Sequence, residues 1–188
     1  MNVAKTLDDL VAGGAHDAVA LVAPETGLAT TRADLIGEVD ELARIFAAAG
    51  VQRGDVAAFV LPNGPECIKS MLAVASLGAA FAPLNPAYTS EEYSFYIEDI
   101  DPRLLVVAAG EGEAARAATP AGTVLADAAS GASGRLELAI DGSSVQPATG
   151  RSSAEPDDIA LILHTSGTTS RPKQVPLLQR NLVASAIT

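Results

Sequence analysis

The chain has 188 residues, which is enough for one ordinary domain with a sizeable core. Hydrophobic residues make up 48% of it and charged residues 19%, so the composition indicates a globular rather than a disordered chain. The net charge of −11 argues against nucleic acid or an anionic membrane as the main partner, because most of the surface would repel either one.

The first predicted element is a hairpin over residues 17–30. Its two apolar stretches, 18–22 and 28–30, are separated by the turn-forming sequence Pro24-Glu25-Thr26-Gly27. A hairpin ahead of the main strands is expected to form a small side sheet. His16 precedes it without an acidic or metal partner at a useful spacing, and we interpret it as a surface residue.

An amphipathic helix follows the hairpin. Thr31 is its predicted N-cap, Asp34 completes a variant of the capping box, and Gly50 ends the helix. One face carries an apolar stripe that must lie against a sheet, formed by Leu35, Val39, Leu42, Phe46 and Ala49. The other face carries charges that are expected to face solvent, namely Glu38, Asp40, Glu41 and Arg44.

Three further strands are predicted at residues 55–61, 79–83 and 103–107, separated by two helices. The first of these helices has Pro65 in its first turn and ends at Gly78. Its predicted buried stripe consists of Ile68, Met71, Leu72 and Ala75. The alternation of strand and helix predicts an α/β fold with a mostly parallel sheet flanked by helices.

The second of these helices begins with a capping box of Thr89 and Glu92. Its core face is predicted to consist of Tyr93, Tyr96, Ile97 and Ile100, with the tyrosines packing in the core and at its rim rather than stacking on a ligand. Three acidic residues at its end, Glu98, Asp99 and Asp101, lack further oxygen ligands for a cation and are expected to face water.

Residues 108–156 carry few signals. A short helix is predicted at 111–118, a short strand at 124–125 and an edge strand at 136–140. The high content of Gly, Ser and Ala favours a surface excursion from the sheet. No internal repeat or domain boundary is visible.

Two features bear on location. Residues 70–90 contain no charge, but Gly78, Pro83 and Pro86 interrupt them, so they are read as helix, strand and loop rather than as a membrane span. The single cysteine, Cys67, excludes an internal disulfide framework and is interpreted as a small buried residue rather than a nucleophile. These features suit a cytoplasmic protein.

The strongest chemical signal is near the end of the chain. Residues 159–163 are an unbroken apolar run, typical of a strand buried on both faces. Five hydroxyl residues and a glycine follow, and two cations close the segment: Thr165, Ser166, Gly167, Thr168, Thr169, Ser170, Arg171 and Lys173. Glycine lets backbone N–H groups turn toward a polyphosphate, hydroxyls donate further hydrogen bonds and lysine supplies a point charge. The pattern predicts an anion-binding loop.

The charge distribution agrees with this prediction. Residues 159–188 hold three basic residues and no acidic one, for a charge of +3, whereas residues 1–158 carry 9 minus 23, or −14. The alternative is a surface turn whose hydroxyls bond only their own backbone and water. The common phosphate loop of NTPases is disfavoured, because it needs Gly before the lysine and Ser or Thr after it, whereas Lys173 lies between Pro172 and Gln174.

The segment His164-Thr165-Ser166-Gly167-Thr168-Thr169-Ser170-Arg171-Pro172-Lys173-Gln174 resembles the signature loop of the AMP-forming adenylating enzymes. This superfamily includes acyl-CoA synthetases, luciferases and peptide-synthetase adenylation domains. Ser170 and Gln174 replace two glycines of the family pattern, and the spelling with Ser170 is most similar to oxalate-CoA ligases. If position 174 required a positive φ, its side chain would cost energy and could redirect Lys173. The phrases at residues 50–56, 61–63 and 78–86 also resemble the opening domain of the family.

The resemblance implies an activity and its substrates. In the family, a carboxylate attacks the α-phosphate of ATP with Mg²⁺, pyrophosphate leaves, and the thiol of coenzyme A takes the acyl group from the adenylate. The resemblance implies that the β- and γ-phosphates are bound by Thr165, Ser166, Gly167, Thr168, Thr169 and Ser170. It also implies that Lys173 offsets the charge of pyrophosphate. The expected partners are a small carboxylic acid, oxalate among them, with ATP and coenzyme A, and neither nucleic acid nor a membrane.

A final helical pattern begins at Gln179 and has no capping residue before Thr188. We therefore expect residues 1–188 to be the truncated N-terminal subdomain of an AMP-binding (adenylation) domain, with the phosphate loop at 164–174 and with the rest of its own chain as a partner. No catalytic residue or metal ligand is identified in it, and the fragment alone is expected to be inactive. The alternative is a stand-alone, non-catalytic nucleotide-binding or interaction module.

Overall fold

The computed structural model describes residues 4–24, 26–130, 135–165 and 172–187. The strands of these residues are β1 (Val19–Ala23), β2 (Leu28–Thr31), β3 (Val56–Val60), β4 (Ala80–Pro83), β5 (Leu104–Ala108), β6 (Val124–Ser130), β7 (Leu136–Ile140), β8 (Ser143–Ser144), β9 (Ile159–Thr165) and β10 (Lys173–Leu178). The helices are α1 (Leu7–Ala12), α2 (Arg32–Ala48), α3 (Pro65–Ser76), α4 (Ser90–Ile100), α5 (Glu113–Ala117) and α6 (Gln179–Ile187).

The main sheet has the strand order β10-β9-β4-β3-β5-β6-β7-β8. Its central strands β9, β4, β3, β5 and β6 are parallel to one another, whereas β10 at one edge and β7 and β8 at the other are antiparallel to their neighbours. Strands β1 and β2 form a separate antiparallel hairpin. The structure confirms the predicted α/β fold with a mostly parallel sheet and an N-terminal hairpin.

Helices cover both faces of the central strands and create two cores. Along β3, Ala57 and Phe59 lie in the core under α2 and α3, whereas Ala58 and Val60 lie in the core under α4 and α5. The alternation follows from the two-residue repeat of a strand. In the first core, the Phe59 ring stacks on Phe81 with centroids 4.6 Å apart. A strand in this position must be apolar on both sides, as the sequence of β3 is.

The helix ends follow the predicted chemistry. The backbone N–H of Asp34 donates to the Thr31 hydroxyl at 3.2 Å, and the N–H of Glu92 donates to the Thr89 hydroxyl at 3.3 Å. After α3, Gly78 has a φ of +74°, which disfavours any residue with a side chain. A Cβ at Gly78 would also lie 2.6 Å from the Asp158 carboxylate, so this glycine is required for two reasons.

The prediction that the charged face of α2 lies in solvent is wrong. The carboxylate of Glu38 lies 2.6 Å from the Lys69 ammonium, that of Glu41 lies 2.7 Å from the Arg135 guanidinium, and that of Asp40 lies 3.0 Å from the Arg151 guanidinium. All three acidic residues are half-buried. Their partners come from α3 and from the segment after β6, which pack along this side of α2, and periodicity within one helix carries no information about them.

Residues 108–156 are more regular than the predicted surface excursion. They contain α5 and three strands that extend the main sheet, and β6 is longer than the predicted strand at 124–125. Small side chains explain the weak signal: Ala126 and Ala128 are buried between the layers but contribute little hydrophobicity to a sequence pattern. The predicted strand at 136–140 is confirmed as β7.

Two predicted burial patterns also need correction. Strand β9 is not buried on both faces, because Ile159 is 38% exposed and Leu163 39% exposed. Helix α3 buries Lys69 and Ser70 and leaves Ile68 42% exposed, so its buried face is rotated from the predicted one. The rotation follows from the position of α3, which contacts α1 and α2 as well as the sheet.

Gln179, the first residue of α6, joins three distant segments. Its side chain is fully buried, its Oε1 accepts a hydrogen bond from Leu7 N–H at 3.0 Å and its Nε2 donates to the Ala75 carbonyl at 2.7 Å. Leu7 opens α1, so its N–H has no partner within that helix. Gln179 therefore fixes α1 and α6 against the end of α3.

We predict that Gln179→Leu lowers the free energy of unfolding by about 1–3 kcal/mol, because it leaves a buried N–H without an acceptor. Urea denaturation followed by circular dichroism measures this change. Gln146→Leu is the control, since the Gln146 side chain is exposed. Equal midpoints for the two variants would contradict the assigned role of Gln179.

Candidate functional site

The candidate loop begins and ends at the carboxyl edge of the parallel sheet. Strand β9 runs parallel to β4 and ends at Thr165, and β10 returns from Lys173 antiparallel to it. Thr165 and Lys173 are directly paired across the two strands. Ligands of open α/β sheets bind at this edge, outside the carboxyl ends of the strands.

The remaining predicted phosphate-binding residues, Ser166, Gly167, Thr168, Thr169 and Ser170, lie outside the described residues, as does Arg171. What the structure brings together is therefore Thr165 with Lys173. Lys173 is exposed at the start of β10, where its ammonium group can bind an anion that arrives from solvent.

The segment charge of +3 overstates the free positive charge of the described residues. Arg180 forms an ion pair with Asp157, one of the acidic residues before the segment. Among the described residues, Lys173 is the basic residue that pairs directly with Thr165, the last residue of β9.

His164, the residue before Thr165, is held by helix α4. Its side chain is only 7% exposed, and its Nε2 lies 3.0 Å from Oδ2 of Asp99. The Tyr96 ring meets the imidazole edge-to-face, with centroids 4.7 Å apart. Asp99 was expected to face water with Glu98 and Asp101; it is exposed, as expected, but its carboxylate also contacts the His164 imidazole. The partner is 65 residues away in sequence, and no local pattern signals it.

Gln174, which departs from the family pattern, is accommodated without strain. Position 174 lies within β10 and is paired with His164. Among the described residues other than glycine, positive φ values occur at Asp101 and Asp141, so position 174 does not require glycine on this ground. The Gln174 side chain donates from Nε2 to the backbone carbonyl of Asp99 at 2.6 Å.

The tyrosines of this region pack against each other, as predicted. Tyr93 is buried and its hydroxyl donates to the Asn85 carbonyl at 2.9 Å. Tyr88 and Tyr96 stack with centroids 4.7 Å apart, and partial burial together with the Tyr96 phenol raises the pKa of Tyr88 to about 12. The Tyr88 phenol therefore remains protonated at neutral pH.

The other candidates from the sequence are not drawn to this edge. His16 is exposed, as predicted. No group of three or more His, Cys, Asp or Glu side chains in the described part of the chain is arranged to hold a metal ion. In the same part of the chain, no helix is both long enough and apolar enough to cross a membrane.

Comparisons with known proteins show the family of this chain. Residues 9–188 match the family model described as AMP-binding enzyme, and the chain belongs to this family. It is 43% identical over 159 residues to a probable CoA ligase, CCL9, of Humulus lupulus, covering 82% of this chain and 30% of that protein. It is 44% identical over 149 residues to an oxalate–CoA ligase of Arabidopsis thaliana, covering 76% of this chain and 28% of that protein.

A solved structure shows the same fold. The crystal structure of ATP-bound MatB from Rhodopseudomonas palustris superposes with a TM-score of 0.78 at 25% identity, covering 97% of this chain and 36% of that one. The chain thus spans about a third of the length of these three proteins. The resemblance read from the loop is confirmed at the level of the family.

Cys67, in the first turns of α3, is half-buried, and burial raises the pKa of its thiol above the ordinary value of 9.0. Because the thiolate is the reactive form, we predict that Cys67 reacts with a disulfide reagent more slowly than free cysteine at pH 7.5. Its rate should still be rising with pH above 9.0. A rate that levels off below pH 8 would indicate an activated nucleophile and contradict this assignment. Stopped-flow absorbance over a pH series makes the measurement.

Proposed function

We propose that this chain is the N-terminal subdomain of an ATP-dependent, AMP-forming carboxylate–CoA ligase, with its phosphate loop at residues 164–174. The observation that carries the proposal is the pairing of Thr165 with Lys173 at the carboxyl edge of the sheet, at the two ends of a segment rich in hydroxyl groups. Membership of the AMP-binding family and similarity to proteins named as CoA ligases support it.

The proposed reaction has two steps. A carboxylate oxygen of the acid attacks the α-phosphorus of ATP, which enters with Mg²⁺ as substrate, and the bond to the β-phosphate oxygen breaks to release pyrophosphate. The thiol of coenzyme A then attacks the acyl carbon, loses its proton, and AMP leaves to give the acyl-CoA product.

The residues of this chain position the leaving group. Thr165, Ser166, Gly167, Thr168, Thr169 and Ser170 donate hydrogen bonds to the β- and γ-phosphates, and Lys173 offsets the charge that grows on pyrophosphate as the bond breaks. Donors that are already in place act without reorganisation during the reaction. The contacts to adenine and to the acid come from other parts of the enzyme, so the 188-residue chain alone is inactive.

The proposed acid is small, and oxalate is the first choice. The loop spelling with Ser170 and the 44% identity to an oxalate–CoA ligase support it. A cytoplasmic location is proposed with it, because the chain is acidic and has a single cysteine. The alternative, a non-catalytic nucleotide-binding or interaction module, was supported by the replacement of a family glycine by Gln174. That support is weakened, because Gln174 causes no backbone strain.

We predict that the full-length enzyme containing this chain exchanges labelled pyrophosphate into ATP when oxalate is present, without needing coenzyme A. Malonate, acetate and an acid-free blank are measured in parallel under the same conditions. Exchange with another acid but not with oxalate would contradict oxalate as the substrate but support the proposed ligase activity. The absence of exchange with every acid in a broad panel would contradict the ligase activity.

We predict that Lys173→Ala reduces kcat/KM for ATP by about 10- to 100-fold, the range for losing a hydrogen bond to a charged group. The KM for the acid should change little, because Lys173 contacts the leaving group only. Lys5→Ala removes the same charge from an exposed lysine beside Pro156, which lies just before the start of β9 and away from Thr165, and serves as the control. Equal ATP kinetics for the two variants would contradict the role given to Lys173.

A further inference from the structure

The first and last residues of the candidate loop are bound to the same residue of α4. His164 lies immediately before Thr165 and contacts the Asp99 carboxylate, with 3.0 Å between Nε2 and Oδ2. Gln174 lies immediately after Lys173 and donates to the Asp99 backbone carbonyl at 2.6 Å. One residue thus holds the end of β9 and the start of β10.

The strand pairing explains why both side chains reach the same helix. His164 and Gln174 are directly opposite each other, and side chains of opposed residues project from the same face of a sheet. Ile162, two residues before His164, packs in the same core as Ile97 and Ile100 of α4. The face that carries His164 and Gln174 is therefore the one against which α4 is packed.

The end of α4 has an unusual need for such partners. Its last carbonyls lack N–H donors within the helix, and its last turn contains no basic residue. Asp99 adds a negative charge at the negative end of the helix dipole, which is unfavourable by itself. The Gln174 amide occupies the Asp99 carbonyl, and the His164 imidazole contacts the carboxylate. The acid is held in place by the two strands that flank the loop.

We propose that Asp99 is a positioning residue for ATP: through His164 and Gln174 it fixes the separation of Thr165 and Lys173. This inference rests on the proposed function. Gln174 then has a specific role in this chain, because a glycine at that position has no side chain to reach Asp99. Tyr96, which lies one turn before Asp99 and packs edge-to-face on His164, keeps the imidazole oriented toward the carboxylate.

The test uses Asp99→Ala in the full-length enzyme, with Glu98→Ala as the matched control. Both variants remove one acidic group from adjacent exposed positions of α4. We expect Asp99→Ala to raise the KM for ATP by about three- to tenfold, the range for one hydrogen bond, and to leave the KM for the acid unchanged. A merely structural contact would lower the melting temperature without changing the KM for ATP.

Gln174→Met tests the second contact, because methionine keeps the length of the side chain and removes the donor. It should also raise the KM for ATP, while Gln52→Met, at the amino end of β3, should not. A double-mutant cycle of His164→Phe and Asp99→Ala should show coupling. The KM for ATP of the double variant should be no higher than that of the single variant with the higher KM. Independent, additive effects would overturn the proposed contact.

Hydrogen exchange gives a readout that does not depend on activity. In Asp99→Ala, peptides covering residues 159–165 and 173–178 should exchange faster than in Glu98→Ala. If the wild-type enzyme is active but Asp99→Ala and Glu98→Ala have equal KM values for ATP, the inference fails, whatever the hydrogen-exchange rates are. If the wild-type enzyme does not exchange pyrophosphate into ATP with any acid, the proposed function fails. The hydrogen-exchange rates alone then decide whether Asp99 holds β9 and β10 in place.

Discussion

Burial of β3 and β5 on both faces constrains the whole molecule. Leu104 and Val106 of β5 face the core under α2 and α3, and Leu105 and Val107 face the core under α4 and α5. Side chains within these strands are therefore committed to packing. Polar groups that act on a ligand are left to the ends of the strands, and Thr165 is the last residue of β9.

Strand β9 marks the change from the buried centre of the sheet to its edge. Ala160 and Ile162 are buried, but Leu163 is 39% exposed, and the next strand, β10, pairs with β9 in the antiparallel direction. A parallel neighbour would have needed a crossover connection that carries the chain away from the end of β9. The return strand instead brings Lys173 back beside Thr165. The same departure from the parallel pattern accounts for the incomplete burial and for the proximity of the two candidate residues.

The sequence was sufficient where structure is set by short-range chemistry. The caps at Thr31 and Thr89 and the break at Gly78 depend on residues within a few positions, and each was predicted correctly. Strand β3 was also evident, because a strand between two helical layers must be continuously apolar. The alanine-rich β6 was underestimated, since packing of small side chains depends on neighbours that a local pattern does not include.

The candidate site shows the limit of the same reasoning. The loop could be found from its hydroxyls, glycine and lysine, but its support could not, because Asp99 is 65 residues from His164 and 75 from Gln174. Viewed as a departure from a family pattern, Gln174 suggested a cost in backbone strain. Its extended conformation in β10 removes that cost, and its amide occupies a helix-end carbonyl that has no partner within α4. Whether a substitution in a motif impairs a site depends on the element packed beside it, and here that element provides a hydrogen-bond acceptor.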